Sequence, residues 1–267
     1  MAGNYPQRIV CLTEETTETI YLLGEQERIV GISGFTVRPP QARREKPKVS
    51  AFTSAKIDKI VALEPDLVLG FSDLQADIAA ELVKLGIEVH VFNHRTVADI
   101  FRMIAMLGGM LGCEAKTHAL TKELEAGLDR VRTSAAALPR HPRVYFEEWD
   151  EPQISGIAWV SELVDIAGGM DVFPELAKEP LGKNRIVADP LEVPRRAPDI
   201  ILGSWCGKKF RPKAVAARPG WIAVPAVRDG ELHEIKSSII LQPGPAALTD
   251  GVNAIHSIIS DWSKKTA

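Results

Sequence analysis

Adjacent carboxylates are the first residues in this chain equipped to do chemistry. Glu14 and Glu15 close the segment RIVCLTEE, and Glu147, Glu148 and Asp150 in RVYFEEWD, with Glu151 just after it, flank Trp149. Such pairs could hold a cation or accept hydrogen bonds from amide groups on a ligand. If burial raised one pKa, they could also do acid–base work. A solvated strand-end loop would carry the same letters at little cost. Basic residues gather at Arg38, Arg43, Arg44, Lys46 and Lys48 and again at Lys208, Lys209, Arg211 and Lys213. They could grip a phosphate or carboxylate, or coat an exposed loop. Arg185 stands beside an apolar strand start and is singled out for ligand contact. Cys206 lies near Lys208 and Lys209 in sequence, which could favour a thiolate; a buried inert cysteine is the plainer alternative. His90 and His94 have helical metal-pair spacing but fall on a predicted strand with no third ligand, so no metal site is assigned.

Large aromatics cluster near the same places. Phe35, Phe71, Trp149, Trp159 and Trp205 all follow predicted strands. Rings there could wall a broad, flat ligand by burying its apolar surface, or could cover the core beneath them. Thr13 and Ser72, also at strand ends, complete the set of expected ligand contacts.

These residues need elements to position them. LEPDLVLG, starting at Leu63, returns as RAPDIILG at Arg196, 133 residues later. RIVCLTEE, starting at Arg8, returns as RVYFEEWD at Arg143, 135 residues later. Two paired segments in one order suggest a folding unit that occurs twice. In the first half, strands are expected over residues 8–12, 28–32, 66–69 and 88–92, with helices between them. Thr13 reads as an N-cap, Gly24 as a helix stop, and residues 35–49 as a proline-rich basic loop. Apolar residues at helical spacing fill residues 97–137, and a helix over 114–137 would be about 36 Å long. In the second half, residues 145–147 and 200–202 read as strands, and 221–227 with 231–235 as a hairpin around Asp229-Gly230. Residues 249–264 read as a closing helix. The expected architecture is α/β: two similar lobes with parallel sheets, residues 1–96 and 141–267, joined by a long central helix within 97–140, with a ligand cleft between the lobes.

Bulk properties narrow the function. The chain has 267 residues and a net charge of −3, which leaves no general basic field for nucleic acid. Its longest apolar run, residues 103–113, contains three glycines and is well short of the ~20 residues of a membrane span. Three scattered cysteines suggest neither a disulfide framework nor a zinc site. No phosphate loop, nucleophile elbow or HExxH is present. The N-terminal residues lack the basic and apolar regions of a secretory signal, so a cytoplasmic chain and an exported chain with its signal removed both stay open.

The succession RIVCLTEETTETIYLLG, a proline-rich loop, KIVALEPDLVLG, a long central helix and EPQISGIAWVSELVDIAGG resembles the helical-backbone substrate-binding proteins of ABC importers for cobalamin and ferric siderophores, closest to the cobalamin-binding members. The resemblance covers nearly the whole chain. It implies a ligand held between two lobes at the C-terminal ends of strands, a periplasmic location, and docking on a permease through acidic residues, here Asp73 and Asp77. The corresponding second-lobe loop, KKFRPK, departs from that pattern by being basic. The three tyrosines, Tyr5, Tyr21 and Tyr145, are not placed at strand ends, which argues against tyrosine ligation of haem iron. The expected function is therefore binding of a corrinoid such as cobalamin, carried as transported ligand and not as a cofactor, by a monomer that is not an enzyme. The alternatives are a ferric siderophore or haem as ligand, a cytoplasmic sensor or chaperone without a permease, and an enzyme using Glu147, Glu148 or Cys206.

Overall fold

Short runs of Ile, Val and Leu bounded by glycine, proline or acidic residues build the sheets of the computed structural model, which describes residues 4–266. The first half runs β1 (Ile9–Cys11), α1 (Glu14–Leu22), β2 (Ile29–Ser33), α2 (Pro40–Glu45), β3 (Lys48–Ser50), α3 (Ile57–Val61), β4 (Leu67–Phe71), α4 (Ala76–Lys84) and β5 (Val89–Phe92). Its five strands are all parallel, in the order β3-β2-β1-β4-β5. Every residue of β1 and β4 is buried, the pattern of strands covered on both faces. The stretch expected to be an irregular loop, residues 35–49, instead contains α2 and most of β3. Pro40 opens α2 at a position where its fixed φ suits a helix start and its missing N–H costs nothing.

Two long helices follow, α5 (Val97–Leu111) and α6 (Glu114–Ala136). The second half then runs β6 (Arg143–Asp150), β7 (Gln153–Ser155), α7 (Ala158–Ile166), β8 (Met170–Asp171), α8 (Pro174–Ala177), α9 (Glu192–Arg196), β9 (Ile200–Gly203), α10 (Pro212–Ala216), α11 (Pro225–Arg228), β10 (Leu232–Glu234), α12 (Ser237–Ile240) and α13 (Val252–Lys265). Its sheet has the order β10-β9-β6-β7, with β8 also on β6. All these pairings are parallel except β6–β7.

The predicted hairpin around Asp229-Gly230 does not form. Pro225 starts the helical turn α11 instead, and Gly230, at φ 76°, closes it as a left-handed cap residue. Trp221 is drawn into the core, and its indole donates to the Pro190 carbonyl. β10 then joins β9 in parallel, not as one arm of a hairpin.

Two compact units result. One comprises residues 4–94 with Ala98–Glu123; the other comprises Arg95–Val97 with residues 124–266. From Ala98 on, helix α5 and the start of α6 thus pack with the first unit, and the rest of α6 with the second. The first core gathers Val10, Leu12, Val49, Ile60, Val68 and Leu82. The second is richer in aromatics, with Tyr145, Phe173, Trp205, Phe210 and Trp221.

The repeated PD motif has a shared physical role. Asp66 accepts the backbone N–H groups of Gln7 (2.6 Å) and Arg8 (2.9 Å), and its own N–H donates to the Arg8 carbonyl at 3.0 Å. Asp199 accepts from the Arg143 N–H at 2.8 Å, and its N–H donates to the Arg143 carbonyl at 2.8 Å. In each unit the aspartate therefore sets the register between the central strand and its neighbour. The glycine ending each motif makes room for a residue returning over the strand end. A Cβ on Gly70 would lie 2.9 Å from the Gln75 side-chain oxygen, and one on Gly203 would lie 1.9 Å from the Phe210 ring.

Candidate functional site

The end of β1 leads into an acidic helix start with few cations nearby. Thr13 occupies the N-cap position with extended backbone, yet its hydroxyl caps no backbone N–H and donates to Glu15 Oε1 at 2.5 Å. Glu14 Oε2 accepts the Val37 N–H at 3.4 Å. Glu14, Glu15 and Glu18 are all buried, and Glu18 pairs with Arg38 at 2.8 Å. The second oxygen of Glu15 has no hydrogen-bond partner among the described residues. Burial pushes the Glu14 carboxyl up to about 8, opposed chiefly by the Val37 N–H. It pushes Glu15 up to about 7, opposed chiefly by Thr13. This end of the sheet can therefore take up or give off protons near neutrality.

The end of β6 is arranged differently. Glu147 is fully buried, and both its oxygens are held by Arg218, at 2.6 and 3.0 Å. The Trp205 indole adds a donor at 3.0 Å and the Tyr145 hydroxyl another at 3.2 Å. Burial pushes the Glu147 carboxyl up, and the Arg218, Trp205 and Tyr145 hydrogen bonds oppose that rise. With four donors on its two oxygens, Glu147 ties β6 to Trp205 and Arg218. Glu148 is tied by two N–H groups of the buried Arg185, at 2.5 and 3.2 Å, and Arg185 also donates to the Ser155 carbonyl. Arg185, expected to reach a ligand, thus locks the β6–β7 hairpin.

The aromatics divide between surface and core. Phe35 is 56% exposed and Trp149 is half-buried. Phe71 is buried, its ring edge-to-face with His94 at 4.9 Å. Trp159 is buried in α7, its indole donating to the Ile240 carbonyl at 2.9 Å. Trp205 is buried against Phe210, with ring centroids 5.0 Å apart. In both Trp159 and Trp205 the indole N–H finds a buried acceptor, which fixes that edge of the ring. Ser72 is buried at φ 64°, and its hydroxyl oxygen accepts the Leu74 N–H. Asp73 is exposed on the turn that follows, and Asp77 is exposed in the first turn of α4.

Three further features escaped sequence reasoning. Gln75, fully buried, accepts the Phe71 N–H and donates to the Leu12 and Phe52 carbonyls, stitching β1, β4 and the loop after β3 together. Arg218 lies 71 residues from Glu147. Lys208 forms an ion pair with Asp150 and sits 4.2 Å from the Trp149 ring centroid and 5.2 Å from that of Trp205. The two acidic pairs are also not equivalent. By strand register, Cys11 faces Leu69 and Phe146 faces Leu202, so Glu147 occupies the place of Leu12, and Trp149 that of Glu14. Among the described residues, no group of three His, Cys, Asp or Glu side chains is placed to hold a metal. A depression of about 370 Å³ lined by Arg132, His141, Asp165 and Met170 lies at the opposite, N-terminal end of β6.

Two units, each built on a largely parallel sheet with the same PD motif leading into a central strand, define the class, and sequence comparison agrees. Residues 9–239 match the family model described as periplasmic binding protein, and the chain belongs to that family. It is 24% identical to the uncharacterized ABC transporter substrate-binding lipoprotein YvrC of Bacillus subtilis, over 97% of this chain and 82% of that protein. It is 24% identical to the vitamin B12-binding protein of Vibrio parahaemolyticus, over 93% of this chain and 88% of that one. The fold is shared with the periplasmic vitamin B12-binding protein BtuF of Vibrio cholerae (TM-score 0.76, 21% identity, 97% of this chain and 98% of that chain). It is shared equally with IsdE of Staphylococcus aureus complexed with heme (TM-score 0.78, 18% identity, 94% and 98%). Members of this family bind and deliver small molecules, and the bound molecule is cargo, not a cofactor. No helix among the described residues is long and apolar enough to cross a membrane.

Proposed function

We propose that this protein binds a corrinoid of the cobalamin type outside the membrane and hands it to an ABC permease. The strand-end residues of each unit, Glu14 with Phe35 in one and Trp149 in the other, are the proposed contacts. The observation that carries the reading is the company of rings and protonatable carboxylates at the strand ends: Phe35 exposed and Trp149 half-buried, with Glu14 and Glu15 buried after β1. The Tyr145 hydroxyl is buried and donates to Glu147, and the Tyr21 hydroxyl donates to Glu45. With both hydroxyls engaged, neither of these tyrosines is free to ligate haem iron, whose other protein ligands are histidine, cysteine and methionine. Exposed and half-buried rings supply apolar area, and protonatable carboxylates can accept hydrogen bonds from a corrin's amide rim. The relatives named for vitamin B12 support the same reading.

The test is calorimetric titration with cyanocobalamin, cobinamide, haemin and a ferric hydroxamate, followed in parallel by absorbance. Binding of a corrinoid at one site per chain, at micromolar Kd or tighter (about −8 kcal/mol or better), is expected. Haemin binding with a shifted Soret band, and no corrinoid binding, would replace the corrinoid with haem.

A further inference from the structure

Around the start of α1, carboxyls outnumber cations among the described residues. Glu14, Glu15 and Glu18 are all buried there, and two arginines lie near them. Arg38 is paired with Glu18 at 2.8 Å, and Arg43 gives its guanidinium to the Gly34 and Thr36 carbonyls at 3.0 and 3.2 Å. From β1 the Cys11 thiol adds no charge, because burial keeps it protonated. Neutral donors are scarce as well. The Val37 N–H reaches Glu14 Oε2, and the Thr13 hydroxyl reaches Glu15 Oε1. Glu15 Oε2 and the fully buried Thr36 hydroxyl, next to Val37 in the chain, have no hydrogen-bond partner among the described residues.

A carboxyl in such surroundings is cheaper to bury as a neutral acid than as an anion. The two forms recognise different groups: a carboxylate only accepts hydrogen bonds, whereas a neutral carboxyl also donates one. Glu14 keeps 6% of its surface exposed and Glu15 only 1%, so Glu14 is the one a ligand can touch. The Val37 N–H marks Glu14 Oε2 as the accepting oxygen, which leaves the O–H to Oε1. We propose that Glu14 meets its ligand as a neutral acid, donating this O–H to a carbonyl oxygen and accepting an N–H in return, so that binding takes up a proton. The inference rests on the corrinoid reading above, whose primary amide rim offers both groups side by side. A charged Glu14 would instead face that carbonyl oxygen with negative charge and no donor. Burial holds the Glu14 carboxyl up at about 8. Since the protonated form binds, affinity is full below that value and falls as pH rises through it.

The test is calorimetric titration with cyanocobalamin at pH 7 and pH 9, with circular dichroism confirming the fold at both. Titration at pH 8 in phosphate and in Tris, which differ in heat of ionisation, counts the protons exchanged. For one carboxyl titrating at about 8, affinity about tenfold weaker at pH 9 than at pH 7 is expected, with net proton uptake at pH 8. Glu14→Gln, which keeps a donor and an acceptor but does not titrate, should abolish both the fall and the uptake. Affinity that is flat with pH, proton release on binding, or a fall that persists in Glu14→Gln would overturn the proposal and leave the corrinoid reading standing. No binding of cyanocobalamin at any pH would end that reading, and this proposal with it.

Discussion

The ends of β1 and β6 present the same residue type, buried glutamate, with opposite electrostatic solutions. At β6 each carboxylate has an arginine: Arg218 on Glu147 and Arg185 on Glu148. At β1, Glu14 and Glu15 are buried with threonine and backbone donors, and only Glu18 has a paired arginine. Burying a charge is costly unless it is paired, and the unpaired group answers by holding its proton. One strand end is consequently a fixed polar joint and the other a site whose charge depends on its surroundings.

The largest blow to this contrast is removal of Arg218. Arg218→Ala would leave Glu147 buried with half its donors gone, and a loss of about 3–5 kcal/mol is expected in urea unfolding. Glu147→Gln in the same chain should recover part of it. If Arg218→Ala unfolds like the wild type, Glu147 is not a structural anchor. Next come the two strand-end glycines. Gly203→Ala forces a methyl into the buried Phe210 ring and should cost about 3 kcal/mol, the upper end of overpacking effects. Gly70→Ala presses less closely, at 2.9 Å, on the hydrogen-bonded Gln75 amide and should cost about 2 kcal/mol, so a larger loss than in Gly203→Ala would refute the ranking.

The third effect is on pH dependence. The folded-state values of Glu14 and Glu15, about 8 and 7, lie above the ordinary 4.5, so the native state binds more protons between those limits. Their contribution to stability is complete below the unfolded value and is lost as pH rises through the folded ones. The slope is at most about 1.4 kcal/mol per pH unit for each extra proton. Glu14→Gln/Glu15→Gln should flatten the stability profile across this range and be the more stable form at alkaline pH. A profile as steep as wild type would place the titrating groups elsewhere. The smallest effect concerns the PD aspartates. Asp66, with two backbone N–H bonds, should lose about 1 kcal/mol more on replacement by alanine than Asp199, which holds one.

Much of the framework was legible because it rests on local patterns. β1, β4 and β9 are uninterrupted apolar runs, α1 stops where Gly24 takes a φ of 71°, and the PD repeat marks the same joint twice. The site was less legible because its chemistry depends on partners distant in sequence. Nothing near Glu147 announces Arg218, and nothing near Phe71 announces that Gln75 will turn back onto its amide. The partners of Trp159 and Trp205 were hidden too, because position after a strand says where a side chain starts, while its indole N–H and an available acceptor decide where that edge of the ring goes. Residues 225–230 misled for a local reason: a proline able to open a helix outweighed an Asp-Gly pair able to close a hairpin.

The glycines at the ends of β4 and β9 carry a consequence for anyone exchanging loops within this scaffold. Each is matched to one incoming side chain, an amide five positions on in the first unit and a phenyl ring seven positions on in the second. A transplanted loop that omits its own returning residue leaves an empty notch over the strand end. A loop that brings the ring to the amide's place collides with the Leu12 and Phe52 carbonyls that now hold Gln75. Strand-end glycine and returning residue therefore have to be moved as one cassette.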